Sequence, residues 1–185
     1  MEAVAASVVV EAAVRDVLEE EVPAMIFYAP TDVDAAYDAW GANCGPCALA
    51  AILGREVEAV RPFLNGFDKR RYMNPTHMKQ SLAAAGCHVT TIGMTTPTHG
   101  LAFIQWHGPW TEPGKPIAAA YRHTHWIACA EGQIYDVNAD ALWVPALTWV
   151  KAMPVLIREE VKGASGEWYV RSGLEVQVEK GEVLL

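Results

Sequence analysis

Cysteine is scarce in this chain, with four residues in 185, too few for a disulfide-stapled scaffold. Two of them, Cys44 and Cys47, lie three apart in a segment that reads as helix, so a reducing compartment is expected. Charge is also sparse: 19% of residues carry it and the formal balance is −8, which removes the broad positive surface that nucleic acid needs. One basic cluster, Arg61, Lys69, Arg70 and Arg71, reads first as a solvated face. No stretch approaches the ~18 consecutive apolar residues of a membrane span. The opening M-E-A-V-A-A-S-V-V-V-E lacks a basic n-region and Glu11 interrupts its apolar run, so no secretory signal is read there. Internal repeats and low-complexity tracts are missing as well. These absences point to one cytoplasmic domain over 1–185 without nucleic-acid or membrane partners.

What the chain does have is apolar mass: a 52% hydrophobic fraction with seven tryptophans, a composition that can offset the entropy cost of ordering. A chain of this length buries roughly 70% of its unfolded surface, so a core needs no metal or disulfide. Ala3, Ser7, Val10, Val14, Val17 and Leu18 recur at helical spacing and predict an amphipathic helix over 2–20. A short strand over 25–28 and a helix over 33–40, closed by Gly41, come next. Asn43 is a good N-cap, Pro46 is tolerated in a first turn and Gly54 suits a C-terminal cap, which places Cys44 on the first turn of a helix. Another helical stretch spans 57–64, broken near Pro62, and a further one opens at Asn74-Pro75 and ends at Gly86.

From Cys87 onward strands are favoured, over 88–92, 101–106, 117–130, 133–137, 155–161 and 168–178, with one late helix over 145–153. The Gly/Pro-rich segment 107–116 reads as a surface loop. Helices gathered in the first half and strands in the second indicate an α+β domain with a largely antiparallel sheet.

Two segments carry chemistry. The first is A-N-C-G-P-C-A-L-A-A-I-L, residues 42–53. A cysteine at a helix N-terminus meets the positive end of the macrodipole, which favours the nucleophilic thiolate, and Gly45 beside it would leave room for a substrate backbone. The plainer reading makes both cysteines small apolar residues in helix packing. The second is Y-R-H-T-H-W-I-A-C-A-E-G-Q-I-Y-D-V-N, residues 121–138, two strands joined at Glu131-Gly132. A two-residue turn pairs Ala130 with Gln133, and extending the ladder sets His125 opposite Asn138 and Ile127 opposite Asp136. Both polar residues then share the face of His125, within reach of its ring. A thiolate paired with imidazolium needs such a partner on the far ring nitrogen to fix its tautomer and orientation.

N-C-G-P-C-A-L-A-A-I-L resembles the nucleophile segment of papain-like cysteine peptidases, closest to that of the bacteriocin-leader peptidases, whose cysteine also begins a helix and precedes Gly-Pro. H-W-I-A followed by I-Y-D-V-N is similar to the histidine strand and the next Asp or Asn strand of that superfamily. The resemblance implies a papain-like fold whose nucleophile helix packs on the sheet. It also implies hydrolysis of a peptide or amide through a thioester, with Cys44 as nucleophile, His125 as base and Asp136 or Asn138 orienting the base. No cofactor enters that chemistry. Papain's own register would select Cys47 instead, whereas the leader-peptidase pattern selects Cys44.

One departure stands out. The family carries a glutamine about six residues before the nucleophile as oxyanion donor, but Asp38 occupies that place relative to Cys44 and Gly41 relative to Cys47. A carboxylate cannot donate, so the amides of Asn43 and Gln105 are the candidate helpers for the Cys44 N–H. This opens a rival reading, a papain-like module that binds or inhibits without catalysis, with Trp106, Trp110, Trp126, Trp143 and Trp149 lining a groove or filling a core. Another rival is a zinc domain built from Cys44, Cys47, His123 and His125, although its two histidines are spaced more closely than the usual zinc signatures.

Overall fold

Capping residues set the helical half of the fold. In a computed structural model of the chain, which describes residues 27–116 and 118–178, helix α1 runs Val33–Trp40 and ends at Gly41 in the left-handed region, φ 72°. The predicted helix over 2–20 lies outside the described residues, as does the first half of the strand over 25–28; residues 27 and 28 are not strand. Helix α2, Cys44–Leu53, starts where extended Asn43 accepts the Gly45 N–H at 3.2 Å and stops at Gly54, φ 63°. No charge falls within it, and Gly45 to Ile52 are all buried, the pattern of a helix enclosed on every side. A short helix α3, Val57–Val60, becomes a 3-10 turn at Arg61–Phe63, where Pro62 removes a donor. Helix α4 is Phe67–Arg70, and α5, Pro75–Ala84, is capped by the Asn74 side chain on the His77 N–H at 2.8 Å.

The second half forms one six-stranded sheet: β1 Cys87–Gly93, β2 His99–Trp106, β3 Thr124–Ala130, β4 Gln133–Asp136, β5 Leu142–Pro145 and β6 Trp168–Val178. The strand order is β1-β6-β2-β3-β4-β5 and every neighbouring pair is antiparallel, so the domain is α+β with a fully antiparallel sheet. Both faces of its centre are covered. Leu101, Phe103, Trp126 and Ala128 pack with α2 and the other early helices, while Ala102, Ile104, Ile127 and Cys129 pack with Trp106, Trp149, Met153 and Ile157. This double covering explains why β2 and β3 read as continuous apolar runs rather than alternating ones.

Three expectations are corrected. Residues 155–161 do not form a strand; a single helix α6, Ala146–Glu160, continues through Pro154. Trp149, Met153 and Ile157 recur every four residues and are buried together on one helix face, and that burial outweighs the β-propensity of Val155 and Ile157 and the hydrogen bond lost at Pro154. The strand predicted from 117 begins only at Thr124, because 119–121 form a 3-10 turn and His123 adopts φ 54°. The β3–β4 hairpin does turn at Glu131-Gly132, both with positive φ, and pairs Ala130 with Gln133 through to Ala128 with Tyr135. There β4 ends. The chain folds over 137–141 and returns as β5, so Asn138 never comes to lie opposite His125 on a ladder.

Candidate active site

Cys44 is the first residue of α2, where N–H groups are unpaired by helix geometry and the macrodipole is positive. It keeps partial solvent exposure. Across from it, β3 presents His125, which is buried, and the end of β4 presents Asp136, which is fully buried. His125 Nε2 lies 2.6 Å from Asp136 Oδ1. That contact leaves Nδ1 as the other ring nitrogen, and His125 is the neighbour that lowers the Cys44 thiol. Thus three residues predicted from the sequence come together at one site.

The electrostatics of the three are coupled. Packing around the Cys44 sulfur raises its thiol, but the charge and hydrogen bond of His125, with a backbone hydrogen bond from Trp126, outweigh this and hold it below the ordinary value. Burial pushes His125 down, yet Asp136 and Cys44 together lift it well above the usual imidazole range. Burial also pushes Asp136 up, and His125, the Asn138 N–H and the Trp149 N–H hold it below the ordinary carboxyl value. All three directions favour thiolate, imidazolium and carboxylate side by side.

Asn138 contributes differently from its expected role. Its side chain is exposed, and its backbone N–H donates to Asp136 Oδ1 at 2.8 Å. Cys47, the alternative nucleophile, is sealed in the core with no exposure, and burial pushes its thiol up to about 12. The papain register would therefore place the reacting sulfur where no substrate reaches.

The two candidate oxyanion amides are committed elsewhere. Asn43 Oδ1 caps α2 and its Nδ2 donates to the Arg71 carbonyl at 2.9 Å. Gln105 is fully buried; its Nε2 donates to the carbonyls of Trp106 at 3.0 Å and Arg122 at 2.6 Å, and its Oε1 accepts from Arg171 at 3.2 Å. Both amides thus have their N–H groups on backbone carbonyls. Gly45 likewise serves packing rather than substrate access: a Cβ there would lie 2.9 Å from Met73 Sδ. Met73 also accepts the Trp126 indole N–H at 2.7 Å, so the 71–73 segment ties the start of α2 to β3. Nothing local in the sequence marks that segment, since its partners lie about thirty and fifty residues away.

Beside the start of α2, Tyr37, Asp38, Gly41, Asn43 and Arg71 line a cleft of about 380 Å³. In the basic cluster Arg61 pairs with Glu58 at 3.3 Å and lies over the Trp40 ring, while Lys69, Arg70 and Arg71 are exposed. The His123 ring lies tilted against Trp110, centroids 4.3 Å apart, and among the described residues no three His, Cys, Asp or Glu side chains gather around a metal position. Of the five tryptophans considered for a groove, Trp106, Trp110, Trp126 and Trp149 are core, and Trp143 is half-buried against Phe27.

No helix among the described residues is long and apolar enough to cross a membrane. No family model matches the chain, and no curated protein matches it. Among solved structures the chain is similar to the peptidase domain of Streptococcus ComA, a bi-functional ABC transporter involved in a quorum-sensing pathway, at 12% identity and a TM-score of 0.35, over 74% of this chain and 92% of that domain.

Proposed function

We propose that this chain is a cysteine-dependent hydrolase, a peptidase or amidase of papain-like arrangement. Cys44 is its nucleophile, His125 its acid and base, and Asp136 the group that orients His125. The observation that carries the reading is the 2.6 Å contact of buried His125 with the fully buried Asp136 carboxylate, beside a helix-tip cysteine whose thiol His125 lowers. Burying an anion costs several kcal/mol unless it is paired, so a core carboxylate against imidazolium marks a site more than a stabilising device.

In the reaction the Cys44 thiolate adds to the carbonyl carbon of a peptide or amide, and the carbonyl oxygen takes the negative charge. The Cys44 N–H, a helix donor without an intrahelical partner, is the group at hand to receive it. His125 then gives its proton to the leaving amine as the C–N bond breaks and the thioester forms. Water, deprotonated by His125, adds to the thioester; the C–S bond breaks, the acid leaves and the thiolate–imidazolium pair is restored.

The commitment of Asn43 and Gln105 elsewhere favours a second reading, a domain with a poised cysteine that binds without turnover. The two separate on incubation with peptide mixtures, followed by intact-mass and peptide-mapping mass spectrometry. Hydrolysis predicts an acyl adduct on Cys44 that disappears in hydroxylamine. Bound but uncleaved peptide, with no adduct at any time, is the binding module's result.

The third member of the site is tested by comparing two alanines. Asp136→Ala removes the carboxylate that faces His125 and is expected to slow acylation by about 10³-fold. Asn138→Ala keeps the backbone N–H that reaches Asp136, so its rate should stay within about twofold of wild type. Equal losses in single-turnover acylation would move the orienting role to the Asn138 side chain.

A further inference from the structure

Asp136 has two carboxylate oxygens, and the triad accounts for one. Oδ1 meets His125 and the Asn138 N–H, whereas Oδ2 accepts the indole N–H of Trp149 at 2.9 Å. Donor and acceptor are both sealed, Trp149 at 1% exposure and Asp136 at 0%. The donor comes from the first turn of α6, outside the hairpin that carries His125 and Asp136. Its ring is held against Trp106 at 5.9 Å and edge-on against Trp168 at 5.2 Å, so the direction of the N–H is fixed by packing.

The choice of acceptor separates this indole from the rest of the core. Trp110, Trp126 and Trp143 each donate to a backbone carbonyl, the ordinary way to satisfy a partly or fully buried indole. Trp40 donates to the exposed Glu58. Among the described residues only Trp149 gives its N–H to a buried carboxylate. An indole nitrogen can donate but not accept, so the contact suits the anion alone and stops rotation of the carboxylate about its Cβ–Cγ bond.

We propose that Trp149 is a positioning residue of the Cys44 site: a fixed donor that keeps Asp136 ionised and aims its Oδ1 at His125. This rests on the hydrolase reading and deepens it. Without the N–H, Oδ2 is a buried anionic oxygen lacking its donor, and the carboxylate becomes a stronger base. It draws the His125 proton toward itself, the positive charge facing Cys44 falls and the pH at which the thiolate is lost rises, so the acid limb of Cys44 reactivity moves upward.

The test measures iodoacetamide alkylation of Cys44 against pH in the full chain. The variants are Trp149→Phe and a chain carrying 3-benzothienyl-alanine at position 149, which keeps the indole shape with sulfur in place of N–H. Both are expected to move the acid limb up by about one pH unit, which is about tenfold slower labelling on that limb. Trp149→Phe also loses apolar area and melts earlier, whereas the isostere tests the hydrogen bond even where Phe fails to fold. An isostere profile that overlays wild type overturns the proposal and leaves the Cys44–His125 reading standing, because wild type still shows a depressed limb. An ordinary thiol profile in wild type itself sinks both.

Discussion

Replacing Cys44 by alanine is expected to abolish acylation, a loss of about 10⁶-fold in turnover, while the domain stays folded. The stability half of that expectation follows from the surroundings of the residue. Asn43 still caps the helix through the Gly45 N–H, alanine is the best helix former, and Cys44 is only partly buried, so the change in unfolding free energy should stay within about 1 kcal/mol. Cys47→Ala should behave in the opposite way. It removes a fully buried sulfur from the centre of the core, so it costs about 1 kcal/mol or more and leaves the rate of acylation nearly unchanged. Electrophile mapping provides the matching readout. In wild type one site should label quickly, since burial pushes the thiols of Cys47 and Cys129 up to about 12 and also raises Cys87. If rapid labelling maps to Cys47, the register of the nucleophile is wrong.

These two cysteines show where the sequence was legible and where it was not. The placement of Cys44 depends on local signals: an Asn cap, a proline tolerated in the first turn and a glycine stop, all within twelve residues. The meeting of His125 with Asp136 depends on one tight turn, Glu131-Gly132, whose positive φ angles set the parity of the hairpin as far as Tyr135. Beyond that residue the local rule ended, because the Asp136 carbonyl accepts the Ala139 N–H at 2.9 Å and starts a turn that a ladder extrapolation cannot foresee. The oxyanion amides were illegible for a different reason. The donors of Asn43 and Gln105 are taken up by carbonyls of Arg71 and Arg122, which only the folded chain brings near. The course of α6 through Pro154 belongs to the same class: a proline and two β-branched residues argue locally for a break, and the shared burial of Trp149, Met153 and Ile157 overrides them. Gly45 is the sharpest case, since the side chain that a Cβ there would crowd, Met73, is far along the chain.

The largest effect of pH should come from His125, and its sign follows from the two opposing pushes on Cys44. Burial raises the thiol; His125, through its charge and its hydrogen bond, lowers it and prevails. In wild type, therefore, alkylation of Cys44 by a neutral reagent should persist at pH 6, well below the value near 8.5 at which an ordinary thiol titrates. His125→Ala removes the lowering contributions and leaves the burial, so the inflection should rise to the ordinary value or above it. At pH 6 an ordinary thiol is only about 0.3% thiolate, so the variant should react roughly two to three orders of magnitude more slowly. Acylation of a peptide adds a second limb. Because Asp136 and Cys44 hold His125 well above the usual imidazole range, the imidazolium that protonates the leaving amine is lost only as the pH rises through that elevated value. Wild-type acylation should then trace a bell over a broad neutral plateau, its acid side set by protonation of the thiolate and its alkaline side by deprotonation of His125. Alkylation, which needs no proton donor, should show the acid limb alone. Identical alkylation profiles in wild type and His125→Ala, both following an ordinary thiol, would mean that sulfur and imidazole do not interact, and the proposed hydrolase would lose its central pair.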